Sequence, residues 1–163
     1  MTFEIRPMRA DDIDAIASLS LRAWAPVFDS LRATMGVRLF DYFYHGDWRT
    51  YQDADVRRAC GAHRVLVAER EGEVLGFTAI DVSDGRTEGE IYMLAVDPSA
   101  QRLGVGAALT TAAVDVIRDA GFAIAMVGTG GDPGHAAARA TYRKAGFTPV
   151  PSEHLYLLLG GDR

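Results

Sequence analysis

Cysteine is almost absent from this sequence, with Cys60 the only one among 163 residues. A lone cysteine excludes a disulfide within the chain and any zinc site built from several cysteines. His45, His63 and His154 lack the spacing of metal ligands, so we predict no metal. Nor does any apolar run approach the roughly 20 residues of a membrane-spanning helix. We therefore expect no disulfide, no metal and no membrane span.

Positive charge is also scarce. The 17 Lys and Arg residues are outnumbered by 22 Asp and Glu, which gives a formal net charge of -5, and no basic block stands out. Tight binding to nucleic acid or to an anionic membrane needs such a block to release counterions, so we expect neither partner. The first residues, 1–6, show no basic segment followed by an apolar one. No secretory signal is expected, and the expected location is the cytoplasm.

The composition is typical of a globular protein, with 48% hydrophobic and 24% charged residues. We find no repeats, low-complexity tracts or linkers, and we predict one domain over residues 1–163. Consecutive predicted strands without a helix between them favour a mixed α/β sheet over a doubly wound parallel one.

Hydrophobic periodicity predicts the order strand, helices, three strands, helix, strand, helix, strand. The first helix is predicted to begin with Asp11 as its N-cap and to end near Pro26. Asp132 and Gly146 are predicted to bound the last helix. The other predicted elements are a strand at 3–6, two or three short helices up to 60, strands at 64–69, 74–80 and 90–96, a helix at 105–120, and strands at 122–127 and 155–159.

A glycine-rich segment, Gln101-Arg102-Leu103-Gly104-Val105-Gly106, lies between a predicted strand and the most regular predicted helix. Its glycines have no Cβ atoms to hold backbone N–H groups away from a ligand. The first turn of the helix adds unpaired donors and a positive dipole end, which suit a pyrophosphate. No Gly-Lys-Ser/Thr follows, which excludes a Walker A loop, and Leu109 replaces the third glycine of a dinucleotide fingerprint.

The Gln-x-x-Gly-x-Gly pattern, after a strand ending in Val96-Asp97-Pro98, resembles the acyl-CoA motif of the GNAT superfamily of N-acyltransferases. The similarity extends to Ile5-Arg6-Pro7, to the predicted hairpin at 71–77 and to segment 135–147, which ends in Gly146-Phe147. It covers essentially the whole chain and is weakest between residues 27 and 60. Finding the glycine-rich motif and the final segment in the expected order is stronger evidence than either alone.

The resemblance implies an α/β (α+β) fold with a mixed, mostly antiparallel sheet of about six or seven strands flanked by helices. The strands before and after the acyl-CoA helix would splay in a V, and the pantetheine arm of acetyl-CoA would insert there. Main-chain groups of Leu94, Ala95 and Val96 would line the arm, one amide polarising the thioester carbonyl. His135 stands where the family usually has an asparagine that contacts the cofactor. Its imidazole can also donate a hydrogen bond.

Acyl transfer from a thioester needs a neutral amine and a proton for the leaving thiolate. An amine with a pKa of about 10.4 is almost wholly protonated at pH 7, so a base or a water relay is useful. Glu90 is the candidate base by similarity to the histone-acetylating branch. Glu88 and Asp81 are alternatives, and a surface glutamate is the ordinary interpretation. Tyr142 is by similarity the candidate acid, or else an aromatic ring packed against Phe147.

The resemblance thus predicts an N-acetyltransferase that moves the acetyl group of acetyl-CoA to a primary amine by direct attack in a ternary complex. The family builds its acceptor pocket from the N-terminal helices, where Trp24, Phe28 and Tyr44 are candidate lining residues. Predicted partners are an amine on a small molecule or a protein and, because relatives are often dimers, a second copy of the chain. Two alternatives stay open: a catalytically silent acyl-CoA sensor and a nucleotide-dependent oxidoreductase.

Overall fold

Five strands and five α-helices make up the described part of the chain, residues 2–159 of a computed structural model. In chain order they are β1 (Glu4–Pro7), α1 (Ile13–Met35), α2 (Val37–Tyr44), α3 (Trp48–Ala62), β2 (Arg64–Arg70), β3 (Glu73–Asp81), β4 (Gly89–Val96), α4 (Val105–Asp119), β5 (Ala125–Val127) and α5 (Ala136–Lys144). Short 3-10 turns lie at Ala10–Asp12, Pro98–Ala100 and Pro133–His135.

The five strands form one sheet in the order β1-β2-β3-β4-β5. The first four are antiparallel neighbours, and β5 runs parallel to β4 after the crossover through α4. A two-residue turn at Glu71 and Gly72, with φ angles of 53° and 84°, joins β2 to β3 and confirms the predicted hairpin. The sheet is mixed and mostly antiparallel, as the resemblance implied, but has five strands instead of six or seven.

The strand predicted near residues 155–159 is wrong. This segment has no regular structure, and Leu155, Leu157 and Leu159 are 90%, 82% and 91% exposed. Alternating leucines are typical of a strand, but a strand also needs a neighbouring edge to pair with. Because no strand within residues 2–159 pairs with this segment, the described sheet ends at the three-residue β5.

Helix α1 differs most from its prediction, because it continues through Pro26 to Met35. A proline inside a helix removes one backbone hydrogen bond, so the sequence favoured an end there. Buried side chains on both sides of the proline, Ile16 and Leu19 before it and Phe28 after it, hold the helix against the rest of the protein. Such packing supplies most of the stability of a helix in a protein, which explains why the predicted end is wrong.

The start of α1 is held by Asp12 and not, as predicted, by Asp11. The Asp12 carboxylate accepts a hydrogen bond from the backbone N–H of Arg9 at 2.7 Å. It also accepts two from the Arg6 guanidinium, at 2.6 and 2.9 Å. The Arg6 hydrogen bonds are the main reason that the pKa of Asp12 lies below its usual range. The prediction failed because strand β1 supplies a charged partner that helix periodicity does not reveal.

Helices cover both faces of the sheet. Helices α1 and α3 pack on one face, and α4 packs on the other, as its predicted apolar stripe requires. The buried α4 residues that touch the sheet are Val105, Leu109, Ala113 and Ile117. No helix among residues 2–159 combines the length and hydropathy of a membrane span.

Candidate functional site

Strand β4 loses one of its two neighbours partway along its length. Gly89, Glu90 and Ile91 pair with β5, and that pairing then stops, whereas pairing with β3 continues to Val96. The register with β3 skips Tyr92, which therefore forms a β-bulge. Beyond Ile91, β4 has no described strand on its β5 side. This opening beside β4, beyond the end of β5, lies where the resemblance implied a splay between the two strands.

The predicted cofactor contacts Leu94, Ala95 and Val96 lie along the β4 side of the opening. All three are paired with β3 on their other side. Successive residues of a strand direct their N–H and C=O groups to alternate edges, so part of this backbone faces the opening. An extended ligand that carries its own amides could bind there as an added strand would.

The glycine-rich loop leads into a helix start that no side chain caps. Gly104 is the N-cap residue of α4 with φ 85°, and no side-chain hydrogen bond closes this end. By contrast, Asp47, Asp97 and Asp132 each cap the start of another helical element through their carboxylates. A Cβ at Gly104 would meet nothing within 4 Å, so the backbone angle requires glycine here. The first-turn N–H groups of α4 remain available to an anion.

The other loop residues divide between solvent and core. Gln101 donates to the backbone carbonyl at the end of β4 at 3.4 Å, while Arg102 is exposed with φ 62°. Leu103 is exposed and Val105 is buried. A Cβ at Gly106 would make only an ordinary contact, at 3.6 Å. The loop therefore places the positive charge of Arg102 in solvent beside the uncapped helix start.

Helix α1 is bonded to both sides of the opening. Arg22 donates to the buried Asp97, just after β4, at 2.6 and 2.9 Å. Eight residues later, Ser30 donates to the buried Asp132, after β5, at 2.6 Å. Pro26 lies midway, and a spacing of four residues places all three on one side of the helix. Helix α1 therefore connects two strand ends that the sheet leaves apart.

Asp132 is the centre of a hydrogen-bonded cluster between β5 and α5. Its carboxylate accepts from the Ser30 hydroxyl and the Gly134 N–H, and contacts Nδ1 of His135. Burial favours a higher pKa for Asp132, but the hydrogen bonds from Ser30 and His135 outweigh it and hold the pKa below its usual range. Arg139 donates to the carbonyls of Gly130 and Asp132 at 2.6 and 2.7 Å.

Sequence reasoning missed the pairing of Asp132 with His135. It assigned Asp132 to helix capping, which the structure confirms for the preceding 3-10 turn, and His135 to cofactor contact. The signal was their spacing of three residues in a turn opened by Pro133. With Nδ1 engaged, Nε2 is the ring nitrogen left for a ligand.

Glu90 belongs to a second charged cluster, at the paired end of β4. Its carboxylate accepts a hydrogen bond from Arg86 at 2.7 Å, and Arg86 also bonds Asp81 at 2.9 Å. Asp81 faces Glu90 across the β3–β4 pair, and the His63 ring lies 3.9 Å from it. Hydrogen bonds from Ser83 are the main reason that the pKa of Asp81 is below its usual range. The candidate base is therefore already bonded to a permanent cation.

Tyr142 lies on α5 and is 8% exposed. Its ring packs edge-on against Phe147, with centroids 5.8 Å apart, and burial raises the pKa of Tyr142 to about 12. The hydroxyl forms no hydrogen bond with residues 2–159, yet it is not sealed from solvent. Tyr142 therefore offers a neutral donor to a ligand, besides the packing role that the sequence left open.

The three aromatic residues predicted to line the acceptor pocket lie in two places. Phe28 stacks on Trp48, with centroids 4.4 Å apart, and meets Tyr44 edge-on at 5.1 Å. Trp24 packs instead against Phe77 of the sheet, with ring centroids 6.2 Å apart, at the contact between α1 and the sheet. Phe28 and Tyr44 therefore share an aromatic cluster, and Trp24 is separate from it.

Tyr44 belongs to the aromatic cluster and has a shifted pKa. Burial raises the pKa of Tyr44, and nearby Tyr51, Tyr156 and Asp132 add to the shift. A cavity of about 150 Å³ borders the aromatic cluster and is lined by Phe28, Asp29, Arg32, Phe40, Asp41, Gly46, Trp48 and Arg49. A larger open concavity, about 740 Å³, lies beside the β2–β3 turn and includes none of the predicted site residues.

Comparison with known proteins agrees with this geometry. The model of the acetyltransferase (GNAT) family matches residues 25–147, more than half of the chain. Mycothiol acetyltransferase of Sanguibacter keddieii is 36% identical over 140 residues, which are 80% of this chain and 44% of that protein. The chain spans about half the length of the curated relatives it matches.

Two solved structures share the fold. The PaiA N-acetyltransferase from Thermoplasma acidophilum, in complex with coenzyme A, has a TM-score of 0.68 and 14% identity, covering 94% of each chain. AAC(6')-Iy, in complex with a bisubstrate analog, has a TM-score of 0.65 and 18% identity, covering 97% of this chain and 99% of that one. At such identities the likeness concerns the fold alone, and the family rests on the sequence match. The chain belongs to the acetyltransferase (GNAT) family.

Proposed function

We propose that this chain transfers the acetyl group of acetyl-CoA to a primary amine of a small molecule. The observation that carries the proposal is the uncapped start of α4 at Gly104, placed beside the unpaired half of β4. The helix start suits a pyrophosphate, and the strand edge suits the amides of a pantetheine arm. A coenzyme A thioester carries both a diphosphate and an arm with amides, so it would use the helix start and the strand edge together.

The residues present fit this cosubstrate. Backbone N–H groups from Gln101 to Gly106 would bind the diphosphate, with Arg102 adding positive charge from solvent. Main-chain groups of 94–96 would hold the arm, and His135 would lie at its other side. The bound cosubstrate supplies an activated acyl group, because its thioester carbonyl is open to attack by an amine.

Tyr142 would stabilise the leaving group, which is the thiolate of CoA. A phenol with a pKa of about 12 stays protonated at neutral pH and donates a hydrogen bond to a developing thiolate. A thiol ordinarily has a pKa of about 8.5, so complete proton transfer from this phenol to the thiolate is unfavourable. We infer that Tyr142 stabilises the thiolate and that the final proton comes from solvent.

The acceptor class rests on charge and on the relatives. Asp81, Glu90 and Arg86 together carry one net negative charge at neutral pH, which favours a cationic amine. Among similar structures the names refer both to aminoglycosides and to a ribosomal protein. The relatives with 30% sequence identity or more are named for the small molecule mycothiol, so a small-molecule amine is proposed over a protein amine. Glu90 stays a predicted base, because Arg86 bonds its Oε2 and leaves Oε1 without a hydrogen bond among residues 2–159.

The test combines cosubstrate binding with turnover. Release of free thiol from acetyl-CoA would be followed with neamine, spermidine, an amino acid amide and an alanine-terminated peptide, with the acetylated product identified by mass spectrometry. Calorimetry with CoA would measure binding separately. We expect binding of CoA and thiol release with at least one amine. Binding of CoA without thiol release would instead indicate an acyl-CoA sensor.

A matched pair of glycine variants tests the binding site itself. Gly104 and Gly121 lie at opposite ends of α4 with φ angles of 85° and 90°. Alanine at either position is strained to a similar extent, about 1 kcal/mol. We expect Gly104→Ala alone to weaken CoA binding, since only its Cβ would project toward the diphosphate. Equal affinities for the two variants would contradict the proposed site.

A further inference from the structure

We propose that His135, held by Asp132, is the general base that takes a proton from the acceptor amine. This inference rests on the proposed acetyl transfer and adds to it the residue that makes the amine nucleophilic. His135 would be the catalytic residue, because Nε2 would touch the amine. Asp132 would be the positioning residue, because it acts only through the ring.

The geometry matches the needs of a histidine base. Nδ1 of His135 contacts a carboxylate whose side chain is 4% exposed, whereas the His135 side chain keeps 20% of its exposure. An ionised carboxylate at Nδ1 favours the tautomer with its proton on that nitrogen and leaves a lone pair on Nε2. The same carboxylate stabilises the imidazolium that forms when Nε2 accepts a proton.

The fixed position of Asp132 makes this arrangement rigid. One carboxylate oxygen is occupied by the Ser30 hydroxyl from α1 and the Gly134 N–H. Among residues 2–159, the other oxygen is bonded only to the His135 ring. A Cβ at Gly130 would lie 2.5 Å from both Asp132 Oδ1 and His135 Nδ1, so the loop backbone packs directly against the pair.

The charged and titratable groups around the pair leave Asp132 free to act on the ring. Arg139, from α5, directs its guanidinium to two backbone carbonyls and not to the carboxylate. Tyr44, from α2, has a raised pKa and is neutral near pH 7. Ser30, from α1, carries no charge. Among residues 2–159, no Lys or Arg side chain is bonded to the carboxylate of Asp132.

The location also suits a base that serves both substrates. The pair follows β5, the strand that bounds one side of the opening, and precedes α5, which carries Tyr142. Through Ser30 it contacts α1, the helix that also carries Phe28 of the aromatic cluster. His135 therefore lies in the segment that follows the proposed cosubstrate groove, and its partner Asp132 is bonded to the helix of the predicted acceptor region.

The proposed step balances as follows. The acceptor enters as an ammonium ion and loses one proton to Nε2 of His135. Its nitrogen attacks the thioester carbonyl, a C–N bond forms, and the C–S bond breaks with its electron pair left on sulfur. The nitrogen then gives up a second proton to solvent, His135 releases its proton to solvent, and the thiolate takes one proton from solvent. The net release is one proton, and His135 is again free to accept one.

The test compares His135→Asn with Glu90→Gln. Asparagine is the residue that the family usually has at this position, so His135→Asn preserves a cofactor contact while it removes the base. We expect kcat/KM with the best amine of the panel to fall about 100-fold, which is the lower end for a general base. In wild type, kcat/KM should rise with pH as the base loses its proton, and this rise should be absent in His135→Asn. The Kd for CoA should be the same in both.

Chemical rescue separates a catalytic role from a structural one. Imidazole added to His135→Ala should restore part of the turnover in proportion to the unprotonated imidazole present. Rescue would not be expected if the ring served only to pack the loop.

Three results would overturn the inference. The first is a His135→Asn variant with the wild-type pH profile, and the second is loss of that profile in Glu90→Gln instead. The third is a His135→Asn variant that loses CoA affinity with kcat unchanged, which would assign the ring to the cofactor alone. A wild-type chain that binds CoA but acetylates no amine would overturn the proposed function as well. The wild-type assay therefore separates failure of the proposed function from failure of the role of His135.

Discussion

Two carboxylates near the opening, Glu90 on β4 and Asp132 after β5, differ in the partner that each one holds. Glu90 is bonded to Arg86, and an arginine guanidinium is effectively a permanent cation in proteins. Asp132 is bonded to His135, a side chain that ordinarily changes charge between pH 5 and 8. The first pair fixes a charge, whereas the second can exchange a proton.

Similarity in position therefore does not settle a catalytic role. By resemblance, Glu90 is predicted to stand at the position of the catalytic glutamate in one branch of the family, yet its bond to Arg86 resembles a structural ion pair. His135 occupies a position that the family usually gives to a cofactor contact, yet its environment is that of a base. Variants on the two sides of the opening should therefore differ in their effect on turnover.

The largest effect is expected from Asp132→Asn. An amide in place of the carboxylate can favour the wrong tautomer of His135 and no longer stabilises the imidazolium, so kcat should fall about 100-fold, as expected when the base itself is removed. Steady-state kinetics with the best amine of the panel would measure it. Ser30→Ala is the matched control, because it removes one partner of Asp132 and leaves the contact with His135. An equal loss in both variants would point to loop anchoring and not to proton transfer.

The next largest effect is expected from Tyr142→Phe. A hydrogen bond to a charged group contributes about 1.5–3 kcal/mol, so kcat should fall roughly 10- to 100-fold. Stability should hardly change, since the hydroxyl has no partner among residues 2–159. Urea unfolding and kcat, measured on the same preparation, would test both statements. Wild-type turnover would leave Tyr142 with its packing against Phe147 alone.

A smaller effect, on stability, is expected from Gly134→Ala. A Cβ there would lie 2.7 Å from the Cβ of Ser30 and 3.0 Å from the Cα of Val27, which would push the loop off α1. Overpacking of this kind costs about 1–3 kcal/mol in the free energy of unfolding. Gly131→Ala is the control, since a Cβ at Gly131 would meet nothing within 4 Å. Urea denaturation of both variants measures the difference, and equal midpoints would contradict the close packing.

The smallest effect is expected from Arg86→Gln, on the Glu90 side. A partly exposed ion pair contributes about 0.2–1 kcal/mol to stability, and turnover should change little if the pair only balances charge. The lowered pKa of Asp81 adds stability above the pKa of the unfolded chain, and that stability is lost as the pH falls through the folded pKa.

Without Arg86, the pKa of Asp81 is lowered less, so the stability that it adds should shrink. Urea midpoints between about pH 6 and 3 would show a smaller loss of stability on acidification than the wild type shows. A steeper loss would mean that Arg86 does not act on Asp81 as described. A large loss of turnover in this variant would restore Glu90 as the leading base.

The elements that the sequence predicted well depend on local patterns. Helix α4 follows from its apolar stripe, and it ends as predicted because Gly121 adopts φ 90° just after its last turn. Gly146, with φ 97°, ends α5 in the same way. The β2–β3 hairpin follows from alternating residues around a two-residue turn.

The features that the sequence missed depend on residues far apart in the chain. Asp12 rather than Asp11 holds the start of α1 because Arg6 of another element pairs with it. Ser30 and Asp132 are separated by 102 positions, so no local pattern relates them. The same holds for the site: its glycine-rich loop could be predicted, but the partners of Glu90 and His135 depend on how distant segments meet.

Helix α1 sets the distance between the segments that follow β4 and β5, because it is bonded to both. Arg22 and Ser30 are eight residues apart, a distance of about 12 Å along the axis. An insertion or deletion between them would rotate one anchor about 100° away from its carboxylate. Pro26 leaves the carbonyl of Arg22 without its helical donor. If the gap between β4 and β5 widens to admit a cosubstrate, α1 should therefore bend at Pro26 first.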